Sequence, residues 1–215
     1  MIGDKSNHVA TIHFAQMLYV WPFIAFFGWP VLLQPATAML RTPYHHHFRH
    51  STFPYRSSSQ LVLLGAVFCC ILLVIHLNTQ IHPFILADNR HYTFYIFRYF
   101  FRRNVFQKYF WAPIYLVSGY TSIIALGATP ISWVVIWLLA STLSLVTAPL
   151  VEPRYFIMPY VLWRIQVALG NKVQKRYLLL ELAWLLLVNF LTIYLFLNNP
   201  FSWSQEPGTL QRFMW

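Results

Sequence analysis

The sequence predicts an all-α fold, a polytopic transmembrane helix bundle of about six spans, and three observations predict it. Apolar residues make up 58% of the 215 and charged residues only 9%. A soluble globular chain carries about 25% charged residues, so a water-facing surface of this size cannot be covered. Several stretches reach the roughly 20 apolar residues that a hydrocarbon core demands. Fifteen Lys and Arg against five Asp and Glu give a net charge of +10, the balance of a membrane protein whose bases sit in its loops. The 19% aromatic content excludes a disordered chain. Bases dispersed between apolar stretches, rather than gathered on one face, speak against nucleic acid as a partner.

The chain reads as a single transmembrane domain, 1–215. Residues 1–13 are polar and mixed in charge, without the basic segment and apolar core of a secretory signal. The first span is expected at about 14–33; its two Trp-Pro steps predict kinks that neighbouring helices accommodate. The second runs over about 60–77 and contains the adjacent Cys69 and Cys70, whose side chains diverge around a helix and read as small apolar fillers rather than a disulfide. Spans at 110–128 and 131–150 are separated only by Thr129 and Pro130 and form a tight hairpin. A weaker span at 155–169 holds Pro159 and Arg164, and the last runs over about 177–197. Between the second and third spans, Phe94, Phe97, Phe101 and Val105 recur at helical spacing opposite Tyr95, Arg98 and Arg102. That pattern predicts an amphipathic helix at the membrane interface over about 91–108.

Loop charge suggests the orientation. Residues 41–59 carry three Arg and no acid, and residues 171–176 hold three bases in six positions. Both are expected on the cytosolic side, which requires the weak span to cross. The 78–109 stretch then lies opposite, although it carries five bases of its own.

Polar groups beside spans are costly, so their clusters point to function. The first cluster is Asp4, Lys5, His8 and His13. The second is His82 followed by Asp88, Asn89, Arg90, His91 and Tyr92. The third is Glu152, Arg154 and Tyr155, and the fourth is Gln211 and Arg212. Six spans place all four on the non-cytosolic side. Acids within two residues of bases are explained either by local ion pairing that anchors loops or by a polar site whose cations hold a phosphate. His45, His46 and His47 are consecutive and cannot easily share one ion, so no metal is expected. Glu181 is expected to snorkel to the cytosolic interface near Lys175 and Arg176. His76 is expected to be hydrogen-bonded inside the bundle. Hydrolase signatures such as Gly-x-Ser-x-Gly and His-Glu-x-x-His are missing from the sequence.

These clusters carry a resemblance. GDKS (3–6) with His8 and His13, LADNRHYTFYIFR (86–98), EPRYFIMPY (152–160), NFLTIYLFLN (189–198) and QRFMW (211–215) follow one another along the chain. In that order they closely resemble the dolichyl-phosphate-glucose-dependent α-1,2-glucosyltransferases of the endoplasmic reticulum. Those enzymes add the terminal glucose to the lipid-linked oligosaccharide used in N-glycosylation. The resemblance covers this entire chain and about the C-terminal half of a family member. It implies a GT-C type architecture, a lumenal active side, a dolichyl phosphate glucose donor and a dolichyl-diphosphate oligosaccharide acceptor. The β-linked donor and α-linked product imply inversion at the anomeric carbon. Such a transfer needs a base for the acceptor hydroxyl and cations or donors for the departing phosphate. Its transition state is oxocarbenium-like, as in inverting glycoside cleavage. No sugar nucleotide takes part, so no cofactor is implied.

In the family the acidic base is expected in the first lumenal loop, upstream of the part seen here. The catalytic residue is therefore left unknown, Met1 reads as an internal or alternative start, and residues 1–215 alone are expected to be inactive. Arg90 and His91, with Arg154, are expected to hold the donor phosphate. Asp88, Asn89 and Tyr92 are expected to bind sugar hydroxyls or orient the Arg, with Glu152 and Tyr155 beside Arg154. Asp4, Lys5 and His8 form a second candidate wall. Two other classes stay open: a non-catalytic membrane binding or scaffold fragment, and a transporter, against which the lack of an internal repeat weighs.

Overall fold

Three prolines shape the first helix. The computed structural model describes residues 12–41, 58–102, 104, 106–127, 129–148, 150–170, 173–203 and 206–214. Asp4, Lys5, His8, His45 to His47 and Val105 lie outside the described residues. Helix α1, Gln16–Arg41, contains Pro22, Pro30 and Pro35. A proline has no N–H, so each leaves the carbonyl four residues earlier without its helical donor. Pro30 frees the carbonyl of Phe26. The indole of Trp184 donates to that oxygen at 2.8 Å, and the Trp184 ring packs edge-on against Phe26 and Trp29. The carbonyl freed at Pro30 thus becomes the docking point of the last helix.

Helix α2, Ser58–Asn78, and α3, Tyr92–Ile96, follow. Helix α4, Ala112–Ala125, is preceded by a 3-10 turn over Gln107–Trp111. Helix α5 is Ile131–Val146. Helix α6, Ile157–Gly170, is preceded by a 3-10 turn over Pro153–Phe156. Helix α7, Lys175–Asn198, completes the helical set. An antiparallel hairpin follows, β1 over Phe201–Trp203 and β2 over Glu206–Gln211. Three segments, Gln16–Pro35, Leu61–Asn78 and Lys175–Asn198, are long and apolar enough to cross a membrane, and Ile131–Val146 is a shorter apolar helix. The fold class is an all-α polytopic membrane protein with a small β-hairpin added.

Helix α1 is central and packs against α4, α5, α6 and α7. The core gathers Val20, Ile24 and Val31 of α1 with Leu145, Phe156 and Trp163. Indole N–H groups join the other helices: Trp163 of α6 donates to the Ser122 carbonyl of α4 at 2.9 Å, and Trp137 of α5 donates to the Pro159 carbonyl of α6 at 3.1 Å. Trp163 is fully buried, and a Cβ at Gly28 would meet its ring at 2.9 Å, so glycine permits the close approach of α1 and α6. By contrast α2 exposes Leu61 at 67% and Val62 at 71%. Such a face would be an aggregation site in water and is ordinary in hydrocarbon, where lipid tails are as apolar as Leu.

Several expectations change. Glu181 does not reach for Lys175 and Arg176. It is buried, and the Arg164 guanidinium grips both carboxylate oxygens at 2.7 Å. Inside an apolar bundle, a fixed bidentate partner one helix away satisfies the charge without stretching toward water. His76 bonds the Tyr109 hydroxyl through Nδ1 at 2.7 Å, but at an exposed position rather than inside the bundle. Cys69 and Cys70 are exposed and free rather than packed fillers. The helix expected over 91–108 is broken: α3 passes into a π turn over Phe97–Arg102, and the 3-10 turn follows later. Its aromatic face is real, since Phe94, Phe97 and Phe101 are buried while Arg98 and Arg102 are exposed. That face packs on protein, with Phe97 and Phe101 stacked at 4.9 Å and both edge-on to Tyr19 of α1.

The Trp184 link is testable by a double-mutant cycle. Trp184→Phe, which keeps a ring and removes the N–H, is expected to cost about 1 to 3 kcal/mol by orphaning the Phe26 carbonyl. With Pro30→Ala present, the new amide at position 30 can take that carbonyl and the cost should largely vanish. Equal costs in both backgrounds, read from thermal melts in detergent, would refute the link. Glu181→Ala, which strands Arg164, is expected to cost about 3 to 5 kcal/mol.

Candidate functional site

The helix directions bring the described polar clusters to one end. The start of α1 meets the ends of α2 and α5: the Ala15 amide donates to Asn78 Oδ1 at 3.1 Å, the Asn78 amide donates to the Ile12 carbonyl at 2.9 Å, and the His13 amide donates to the Val146 carbonyl at 2.9 Å. Residues 82–92 leave the end of α2 and residues 150–156 leave the end of α5, so both loops share this face.

The two loops wall a chamber of about 850 Å3. Asp88, His91 and Tyr92 face it from one loop and Glu152 and Arg154 from the other, with Phe23 and Phe27 of α1 and Tyr160 of α6 behind them. His82 starts the first loop as a cap, its Nδ1 accepting from the Phe84 amide at 3.2 Å ahead of the 3-10 turn Pro83–Leu86. Asp88 organises the rest. Its Oδ1 accepts from the Arg90 amide at 3.0 Å and from Arg90 Nε at 2.8 Å, and its Oδ2 accepts from Arg90 Nη2 at 2.7 Å. His91 Nε2 stands 3.5 Å from the same Oδ2. One carboxylate therefore orients the Arg90 guanidinium and stands beside the His91 ring.

On the facing loop Arg154 Nε donates to Glu152, and the guanidinium lies over the Tyr155 ring at 5.8 Å. The Arg154 side chain is 72% exposed, so its charge reaches into the chamber from an open position. The electrostatics follow from these pairs. Hydrogen bonding from Arg90 holds the Asp88 carboxyl below its usual range, against a smaller opposing effect of burial. Asp88 is thus a weak base at neutral pH, suited to orienting rather than to taking a proton. Burial pushes the Tyr92 phenol up, so its hydroxyl stays a protonated donor.

The structure thus gathers Asp88, His91, Tyr92, Glu152 and Arg154 around one space and ties Arg90 to it through Asp88. Asn89 and Tyr155 are not in the lining: Asn89 is 3% exposed and Tyr155 packs against the core. Among the described residues no group of three His, Cys, Asp or Glu is placed to hold a metal.

Sequence reasoning missed the second half of the site. Along Phe23, Phe27, Tyr92 and Thr93 the chamber meets an apolar groove of about 550 Å3. The groove runs between α1 and α7, walled by Phe26, Trp184 and Leu191 and closed on one side by Phe97 and Phe213. The spacing of Phe23 and Phe27 at i and i+4 was a readable signal for one wall. The approach of α7 was not readable.

Fold and site together define a helical membrane protein with an amphipathic ligand space, charged at its mouth and aromatic along its length. The chain belongs to the DIE2/ALG10 family, whose model matches residues 1–165. Among curated relatives it is 35% identical to a human and to a rat protein, each aligned over all of this chain and 42% of its own length. It is 30% identical to an Emericella nidulans protein, aligned over all of this chain and 52% of the relative. All three are named Dol-P-Glc:Glc(2)Man(9)GlcNAc(2)-PP-Dol alpha-1,2-glucosyltransferase. The chain spans about half the length of the curated relatives it matches. No solved structure matches it.

His13, the one described member of the first cluster, sits beside this site. It is fully buried and meets Tyr19 edge-on at 6.1 Å, and neither ring nitrogen has a hydrogen-bond partner among the described residues. Burial pushes its pKa from 6.5 down to about 4. A histidine held neutral favours the folded state above its unfolded pKa, and that advantage is lost as pH falls from about 6.5 toward 4. The loss is expected to approach about 3 kcal/mol and to disappear in His13→Phe. Melting curves of the solubilised chain between pH 4 and 7 test it, and a variant with the same pH slope as the parent would overturn it.

Proposed function

We propose that this chain forms the donor-binding part of an enzyme that transfers glucose from dolichyl phosphate glucose to a dolichyl-diphosphate-linked oligosaccharide. The new bond is the terminal α-1,2 linkage of the N-glycan precursor, formed with inversion. The observation that carries the reading is the junction of a charged chamber with an aromatic groove. A polyprenyl phosphate sugar is the same shape in chemistry: an anionic, hydroxyl-rich head on a long apolar chain. Arg90 and His91, aimed by Asp88, and Arg154, held by Glu152, meet the phosphate. Tyr92 donates to sugar hydroxyls. The groove between α1 and α7 takes the first isoprene units.

The phosphodiester carries one negative charge and the departing dolichyl phosphate gains a second. Arg and His near the leaving oxygen therefore favour the transition state over the ground state. Paired carboxylates keep the empty site near neutral and hold the cations in place, which lowers the cost of reorganisation at reaction. Asp88, held below its usual range by Arg90, is a poor base, and Glu152 is engaged by Arg154, so the acceptor proton passes to a group outside this set. In this reading the chain makes six crossings, with α4 and α6 lengthened by their preceding 3-10 turns, and the chamber lies on the lumenal face of the endoplasmic reticulum, the basic stretches 41–59 and 171–176 being assigned to the cytosol by their charge. Asp4, Lys5 and His8 remain a second candidate wall.

The test replaces the aligned part of the human relative with this chain and measures glucose transfer from dolichyl phosphate glucose in microsomes. Arg90→Ala and Arg154→Ala are each expected to lower turnover by about 10- to 100-fold at equal protein level. Parent-like activity in Arg90→Ala would overturn the assignment of the phosphate site.

A further inference from the structure

The 199–214 segment returns from the end of α7 to the loop that carries Arg90 and His91. After the hairpin, the Arg212 guanidinium donates to the carbonyls of Phe196 at 2.6 Å and Leu197 at 2.7 Å. These belong to the last turn of α7, where carbonyls have no helical donor, and a cation there also complements the helix dipole. The same guanidinium lies over the Phe196 ring at 5.6 Å. Two residues later the Met214 amide donates to the Arg90 carbonyl at 2.7 Å, and Met214 bridges His91 as a parallel strand partner. Between them Phe213 enters the groove wall and lies 6.3 Å from the Tyr95 ring. Trp203 of the hairpin meets the buried Phe94 edge-on at 5.8 Å.

These contacts join the two halves of the ligand space. The chamber loop and the end of α7 belong to elements more than 100 residues apart, and the 212–214 segment bonds to both. The Arg90 backbone is held from two directions, its amide by Asp88 and its carbonyl by Met214. We propose that Arg212, Phe213 and Met214 form a positioning strap for the donor. Arg212 anchors the strap on α7, Met214 sets the Arg90–His91 backbone, and Phe213 presses on the apolar chain beside the head group. The inference rests on the reading that Arg90 and His91 meet the donor phosphate. None of the three strap residues needs to touch a reacting atom.

The same chimera provides the test, with the donor concentration varied. Arg212→Ala is expected to raise KM for dolichyl phosphate glucose about 10-fold, the scale of one well-placed hydrogen bond to a charged group, with kcat within about twofold. Arg212→Lys, which keeps a cation at the α7 carbonyls, should recover most of that loss. Phe213→Ala should likewise raise KM, and less so for a donor with a shortened polyprenyl chain. Hydrogen exchange at the 90–95 amides should quicken in Arg212→Ala, marking release of the loop. Unchanged KM in both Ala variants overturns the strap, and so does a fall in protein amount or kcat at constant KM, the mark of a purely structural prop. Arg90→Ala, run alongside, separates the two claims. If it lowers transfer while the strap variants are silent, only the strap fails; if it is silent, the donor-site reading fails.

Discussion

A backbone carbonyl cannot remain unpaired in hydrocarbon, and this constraint organises the bundle. Prolines in α1 free carbonyls, and the end of each helix leaves more. The donors that answer them come from other elements. Trp184 reaches the Phe26 carbonyl, Trp163 reaches Ser122, and Arg212 reaches Phe196 and Leu197. Every such bond is also a tertiary tie, because donor and acceptor lie on different elements. Without a strong hydrophobic drive between helices in lipid, these ties and close packing, as at Gly28 against Trp163, set where the helices stand.

The ligand space is a consequence of that arrangement. The carbonyl freed by Pro30 and the Trp184 indole that answers it tie α7 beside α1, where the aromatic groove lies. Helix α6, pinned by Trp163 and by the Arg164–Glu181 pair, carries the Glu152–Tyr155 loop over the start of the chamber. The polar groups then follow a different rule from the core. Each carboxylate at the mouth is matched to an arginine two residues away, Asp88 to Arg90 and Glu152 to Arg154. The pairs are partly solvated, so their strength lies less in stability than in keeping guanidinium and imidazole aimed. Asp88, His91, Glu152 and Arg154 face one cavity, and Arg90 is tied to it through Asp88.

Legibility differed by kind of feature. Apolar runs announced the helices, because burial in lipid needs only composition and length. The buried aromatic stripe of Phe94, Phe97 and Phe101 was visible as a period, though its partner was mistaken: it faces Tyr19 and Trp111 rather than lipid. The site clusters were legible as unusual polar groups between spans. Glu181 was misread because its proximity to Lys175 and Arg176 is local, whereas its partner Arg164 is on the preceding helix.

By itself, the sequence determined a helical membrane protein, a basic charge balance set in loops, and the short polar motifs that carry its family likeness. These depend on residue type and on spacing within a turn or two, where chain geometry is known in advance. Only the tertiary structure decided that Asp88 and Glu152 face one chamber, that the chamber opens on a groove beside α7, and that Met214 bonds the Arg90 backbone. Those are contacts between residues tens to more than a hundred positions apart. They are set by which carbonyls lack donors and which side chains can reach them, and no local pattern encodes that pairing.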